Sequence, residues 1–168
     1  HRMMPEHYTG DLASDILSRG KSSGLYDKLI SEKKLFSTIS AYISGGWEDG
    51  LFVVSGNLNE GVSFDTARAE IWKELEKMRV DHIDNDELIK VKNKFKTGKV
   101  FSEQSLMNRV MNIAFFEMMG KLDELNDELK KYDVISSEDI RDFAKKIFVK
   151  NNLSTLMVKA KKLLLSPF

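Results

Sequence analysis

The 168-residue chain has no cysteine. That absence excludes disulfides, thiolate–zinc sites and a cysteine nucleophile together. It does not choose between compartments, so a bacterial periplasm or cell envelope stays open beside the cytoplasm. With two prolines and ten glycines, long disordered linkers are not expected. Lys+Arg and Asp+Glu are equal at 26 each, so the net charge of zero gives no electrostatic reason for a nucleic-acid or anionic-membrane partner. The longest apolar runs fall well short of the roughly 20 residues that span a bilayer, so no membrane span is expected. What is present is an ordinary globular balance, 42% hydrophobic and 31% charged. The length suits one domain with a real core, and no internal repeat or domain boundary is visible. Residues 1–168 therefore read as a single domain. The opening His1-Arg2 reads as a cut within a longer parent, whose missing part can hold a localisation signal.

Residues 1–12 contain Pro5 and Gly10 and read as an extended approach. Thr9 or Asp11 can cap a helix carrying Leu12, Ile16 and Leu17, ended by Gly20. Ser22 or Ser23 caps a second amphipathic helix with Leu25, Tyr26 and Leu29. From Phe36, the residues Phe36, Thr38, Ser40 and Tyr42 alternate with Ser37, Ile39, Ala41 and Ile43, which is strand periodicity running to Ser44. A turn over Gly45-Gly46-Trp47-Glu48-Asp49-Gly50 leads into a strand from Leu51 to Gly56, giving an antiparallel hairpin. Helices follow at Phe64 to Met78 (Ala67, Ile71, Trp72, Leu75), and from Asp86 after a cap at Asp84 or Asn85 (Leu88, Val91, Phe95). Leu106 to Met119 is unusually apolar. Ser136 and Asp139 have capping-box-like spacing ahead of a helix through Phe148. Leu153 to Val158 reads as a closing strand, with Ala160 to Phe168 as its end and extension. The fold class is α+β: a two-layer unit with an antiparallel-rich sheet and helices packed on one face.

Candidate chemistry is sparse. His1 and His7 flank Pro5 and Glu6, but the inverted zinc motif H-x-x-E-H needs ligands four apart on one helix face. Six residues on a helix turn the second ring about 240° from the first. An extended segment could still join two imidazoles, although an edge segment or a cut end explains them more simply. His82 lies in a loop with no ligand partner at a recognised spacing. Asp81, Asp84, Asp86 and Glu87 lack the alternating oxygens, central glycine and terminal Glu of a calcium loop, and helix capping explains them better. Gly20-Lys21-Ser22-Ser23 resembles the end of a phosphate loop, yet Asp15 stands where the first glycine belongs and no strand precedes it. Lys90, Lys92, Lys94, Lys96 and Lys99 lack interleaved aromatics and read as a solvated helix face. The methionines and aromatics of Leu106 to Met119 could line a peptide or lipid groove. A buried helix, or one packing on another domain, is the preferred reading. No serine stands in a G-x-S-x-G or S-x-x-K context. No catalytic, cofactor-binding or metal residue is assigned.

One ordered stretch carries more information: GKSSGLYDKLISEKKLFSTISAYISG, Gly20 to Gly45. It resembles G-x-S-S-R-L-[YF]-x-x-L-R-E-x-x-G-L-A-Y-S-V-S-A of the insulinase-like zinc metallopeptidases, the pitrilysin and mitochondrial processing peptidase type. Supporting matches follow in order. They are the Leu51-Phe52-Val53-Val54-Ser55-Gly56 strand, Ile71-Trp72-Lys73-Glu74-Leu75, Asp86-Glu87-Leu88 with Val91-Lys92, and Ser136-Ser137-Glu138-Asp139-Ile140. The resemblance implies the C-terminal, non-metal-binding domain of such an enzyme. In that family two homologous halves enclose a chamber for unfolded peptides, and zinc sits on H-x-x-E-H in the other half.

The resemblance also implies what this chain lacks. Gly24 stands where the family often has arginine. Many active members supply an Arg and a Tyr seven apart to polarise the scissile carbonyl and hold the oxyanion. Here those places fall on Ile30 and Ser37. Ile30 has no donor, and Ser37 is too short to replace a phenol. The implied role is a non-catalytic domain, itself without cofactor, that packs on a metal-bearing H-x-x-E-H domain and helps enclose an extended peptide. Its place is either the second unit of a metal-bearing half in a four-unit parent or a degenerate scaffold. A purely structural interaction domain is the alternative.

Overall fold

The computed structural model describes residues 2–18, 23–45 and 48–159. The first helix, α1 (Pro5–Ser18), already starts at Pro5, where an extended approach was expected. Proline suits a first helical position, because its fixed φ fits and its missing N–H has no partner there anyway. Thr9 and Asp11 are therefore interior residues rather than caps. Thr9 Oγ1 donates to the Pro5 carbonyl at 3.2 Å. Leu12, Ile16 and Leu17 are buried at helical spacing. Gly10 is buried within the helix, and a Cβ there would fall 2.8 Å from Ile43 Cδ1 and 2.9 Å from Phe143 Cζ. Its missing side chain lets α1 close onto the sheet. The expected stop at Gly20 lies outside the described residues.

Tyr26–Glu32 forms a π-helical segment where an ordinary amphipathic helix was expected. The Lys33 amide donates back to Lys28 at 3.1 Å and the Leu35 amide to Leu29 at 2.8 Å, so the wider turn continues to the end. Leu25 and Leu29 are fully buried. Lys34 leaves the segment with φ +53°, in the left-handed region.

Strands β1 (Phe36–Ser44) and β2 (Leu51–Leu58) form the expected antiparallel hairpin, with Ala41 opposite Val54 and Ile43 opposite Phe52. An irregularity between Phe36 and Thr38 shifts the register. Simple alternation groups Phe36 with Thr38, but the bulge returns it to the buried face with Ile39 and Ala41. The outer face is polar: Ser40 and Ser55 hydroxyls lie 3.2 Å apart, and Asn57 Nδ2 donates to Thr38 Oγ1 at 3.0 Å. Gly46 and Trp47 of the expected turn lie outside the described residues.

The remaining helices are α2 (Phe64–Val80), α3 (Asn85–Ser102), α4 (Leu106–Met118), α5 (Glu128–Asp133) and α6 (Ser137–Ile147). Ser63 caps α2 by accepting from the Thr66 amide. Asp84 precedes α3 without a side-chain cap bond. Ser136 and Asp139 complete the expected capping box of α6. Helices pack on the apolar sheet face, where α1 meets β1, α3, α5 and α6, and α2 meets α6. Phe52, Phe143 and Phe148 form an aromatic cluster between β2 and α6. The architecture is α+β.

One expected element differs. Leu153 to Val158 joins no ladder among the described residues, and Leu156 and Val158 are 90% and 80% exposed. Its apolar content satisfies strand spacing, but the described hairpin does not pair with it. Residues Ala160 to Phe168 lie outside the described residues.

Gly56 pairs with Ile39 next to the bulge, and a Cβ there would sit 2.7 Å from the Thr38 carbonyl and 2.8 Å from Phe36 Cδ1, so the bulged backbone needs glycine at this place. Gly56→Ala is expected to destabilise the protein by about 1–3 kcal/mol in urea unfolding. An unchanged midpoint would mean that the bulge relaxes freely.

Candidate functional site

The two comparison positions lie on the π-helical segment and on β1, which are in contact. Ile30 is partly buried against the core, and Ser37 stands at the bulge. The Ser37 hydroxyl donates to the Asn57 carbonyl at 3.2 Å across the hairpin. Ile30 presents only hydrocarbon. Neither residue offers a free donor of phenol or guanidinium reach at this place.

Of the two histidines in the opening segment, His7 is the one among the described residues. His1 lies outside the described residues. His7 is on α1, with Nε2 3.4 Å from Asp11 Oδ2 one turn later. Tyr132 donates to the same carboxylate at 3.0 Å. Burial lowers the His7 pKa, against the pull of Asp11, and burial raises that of Asp11. A catalytic zinc needs three protein ligands. Among the described residues no three His, Asp or Glu side chains converge that way. Asp11 is instead met by a phenol, so this donor set does not fit zinc. His82 is exposed, as its loop position predicts.

A charged cluster not foreseen from the sequence lies beside α1. Arg2 Nη2 donates to Glu128 Oε1 at 2.9 Å, and Lys99 Nζ lies 2.7 Å from Glu128 Oε2. The Arg2 guanidinium also stacks over Phe115, 4.7 Å from the ring centroid, and contacts Asn112. Burial would raise the Glu128 pKa, but Lys99 and Arg2 outweigh it and hold the carboxyl below its usual range. The lysine series of α3 therefore does more than solvate. Lys92 donates to the carbonyls of Asp133 and Ile135, at 2.8 and 2.5 Å, and Lys96 pairs with Asp133. Lys92, Lys96 and Lys99 follow i, i+4, i+7 spacing, which could have marked them as one working face. Arg2 carries no such sequence signal.

A shallow depression of about 170 Å³ is lined by Gly24, Glu74, Lys77, Met78 and His82, among others. Glu74 is buried and pairs with Lys77 at 2.7 Å. A Cβ at Gly24 would lie 3.6 Å from Glu74 Oε2. The position thus has room for a side chain and a carboxylate facing it.

Comparison with known families gives a match to the peptidase M16 inactive domain over residues 3–95. The chain belongs to this family. No curated protein sequence matches it. Among solved structures it is similar to a protease from Helicobacter pylori, with 22% identity and a TM-score of 0.82, covering 89% of this chain and 36% of that one. A proposed zinc protease from Bordetella pertussis Tohama I gives 20% identity and a TM-score of 0.78, with 90% and 83% covered. The inactive peptidase domain of a proposed zinc protease from Bordetella parapertussis gives 20% identity and a TM-score of 0.80, with 90% and 82% covered. At these identities the likeness carries the fold. The chain spans about a third of the Helicobacter protease.

As an M16 inactive domain, the chain departs from the motif in ways the geometry makes concrete. The motif glycine before L-A-Y falls on Lys34, the residue with φ +53°. This backbone keeps the turn that glycine favours while a lysine bears its steric cost. The missing arginine leaves the depression beside Glu74 open. No helix among the described residues is long and apolar enough to cross a membrane.

Gly24→Arg is expected to raise stability by about 1 kcal/mol, through helix propensity and an ion pair with Glu74. Thermal unfolding checks it, and in a Glu74→Gln background the ion-pair part of the gain should be lost while the helix-propensity part remains. Glu128→Gln is expected to cost about 2–4 kcal/mol at neutral pH, because Lys99 and Arg2 lose their shared anion. Folding lowers the Glu128 pKa, so its contribution is fully present above the unfolded carboxylate range near about 4.3. It is lost as pH falls through the folded value. Urea unfolding should show the gap to the variant closing on acidification, and a constant gap would refute the assignment.

Proposed function

We propose that this chain is a non-catalytic domain of a zinc metallopeptidase. It packs on a homologous metal-bearing H-x-x-E-H domain and forms part of the wall around an extended, unfolded peptide. Residues 1–168 act as a single unit of a longer parent or assembly, with zinc held by the metal-bearing domain. The chain itself supplies no catalytic, cofactor-binding or metal residue. The observation that carries this reading is membership of the M16 inactive-domain family. Ile30 and Ser37, at the positions of the transition-state pair, agree with it, since neither can polarise a carbonyl or hold an oxyanion as Arg and Tyr would. The two-stranded sheet also supports it. An extended peptide can add to a strand edge through main-chain hydrogen bonds, with alternate side chains setting preference.

The test is cleavage of a fluorogenic peptide by the metal-bearing domain of the same parent, with and without this chain. Activity that appears or rises at least about tenfold on mixing, or about 1.4 kcal/mol of transition-state stabilisation, supports the reading. Binding without any change in cleavage would assign the chain to a purely structural scaffold.

A further inference from the structure

Sulfur enters this chain only as methionine, since cysteine is absent. Eight methionines are present, and the fold sorts them by access. Met107, Met111 and Met118 on α4 are 67%, 64% and 65% exposed. Met4 and Met157 follow at 43% and 42%, Met3 and Met119 are half-buried, and Met78 lies in the core at 6%. At about 100° per residue, positions 107, 111 and 118 fall within about 40° of one another, so the three thioethers share one stripe of the helix. Met119 turns about 100° away from Met118, toward the side that buries Phe116.

A thioether has no proton to lose, so no neighbouring charge has to activate it, and access of the oxidant decides which sulfur reacts. A hydroperoxide delivers its terminal oxygen: a sulfur lone pair forms the S–O bond as the O–O bond breaks. Sulfur gives up two electrons, and the peroxide is reduced by them. The proton on the delivered oxygen passes to the departing hydroxide or alkoxide, which leaves as water or alcohol. The product is a sulfoxide, polar where the thioether was apolar. Inside a core that change disrupts packing, but none of the three α4 methionines belongs to the buried cluster that holds the domain together. Their oxidation therefore alters the surface and leaves the fold.

We propose that Met107, Met111 and Met118 form an oxidant-reactive stripe, which hydroperoxides convert to sulfoxides ahead of the other five methionines. The conversion switches this face of α4 from apolar to polar with the fold intact. This modification is independent of the peptidase reading.

The test treats the full chain with dilute hydrogen peroxide at neutral pH and maps oxygen uptake on each methionine by peptide mass spectrometry. Met107, Met111 and Met118 should react at least about tenfold faster than Met78, and measurably ahead of Met4 and Met157. Once these three are oxidised, retention on a hydrophobic-interaction column should fall while the urea midpoint stays unchanged. The two epimer-specific methionine sulfoxide reductases should then restore the retention. A chain carrying Met107→Leu, Met111→Leu and Met118→Leu, whose leucines keep the helix propensity, should lose the fast phase of oxygen uptake and hold its retention under peroxide. The mapping is read on the unsubstituted chain, so it stands even if that variant fails to fold. Met4, Met78 or Met157 reacting as fast as the α4 three would overturn the proposal. So would unchanged retention after their oxidation, or a lowered urea midpoint.

Discussion

The close approach of α1 to the hairpin is the constraint on which the rest of the molecule depends. Leu12 and Ala13 are fully buried, Tyr8 and Leu17 nearly so, and Gly10 lets the helix backbone come within reach of Ile43 and Phe143. At the far end Ser18 Oγ donates to the Ala41 carbonyl at 3.1 Å, which fixes the helix along β1. Because α1 also meets α3, α5 and α6, its position sets theirs. A close-packed interior transmits such a constraint, since each added methylene must displace a neighbour.

Polar groups organise the other side of the same helix. Tyr132 stacks on Phe95, meets Tyr8 edge-on and donates to Asp11, so one side chain ties α5 to α3 and α1. Burial and the adjacent Asp11 both push its phenol pKa upward, which keeps it a donor throughout the useful pH range. Glu128 plays the reciprocal part as an acceptor between Lys99 and Arg2. Buried groups of this kind are tolerable because each is paired, and removing one partner exposes the cost of the other.

Among the described residues of this M16 inactive domain, many polar side chains are engaged in caps, cross-strand bonds and ion pairs. Hydrocarbon on α4 remains exposed, at Met107, Met111 and Met118.

The sequence by itself determined the local elements whose signals are short-range. The hairpin, the Ser136–Asp139 capping box and the buried stripes of α1 to α3 follow from periodicity and caps a few residues apart. Motif order from Gly20 to Gly45 was enough to reach the family. Tertiary structure decided what long-range packing controls. Pro5 became a helix start because α1 had a core to cover, and the bulge at Ser37 returned Phe36 to that core. Lys92, Lys96 and Lys99 gained partners on or beside α5 that no local pattern names, and Arg2 reached Glu128 across 126 positions. Leu153 to Val158 has strand spacing but pairs with no strand among the described residues, because a ladder needs a neighbour and periodicity specifies only a face. The outward apolar side of α4 belongs to the same class: composition marked the helix as unusual, and only packing showed which half of it the fold leaves uncovered.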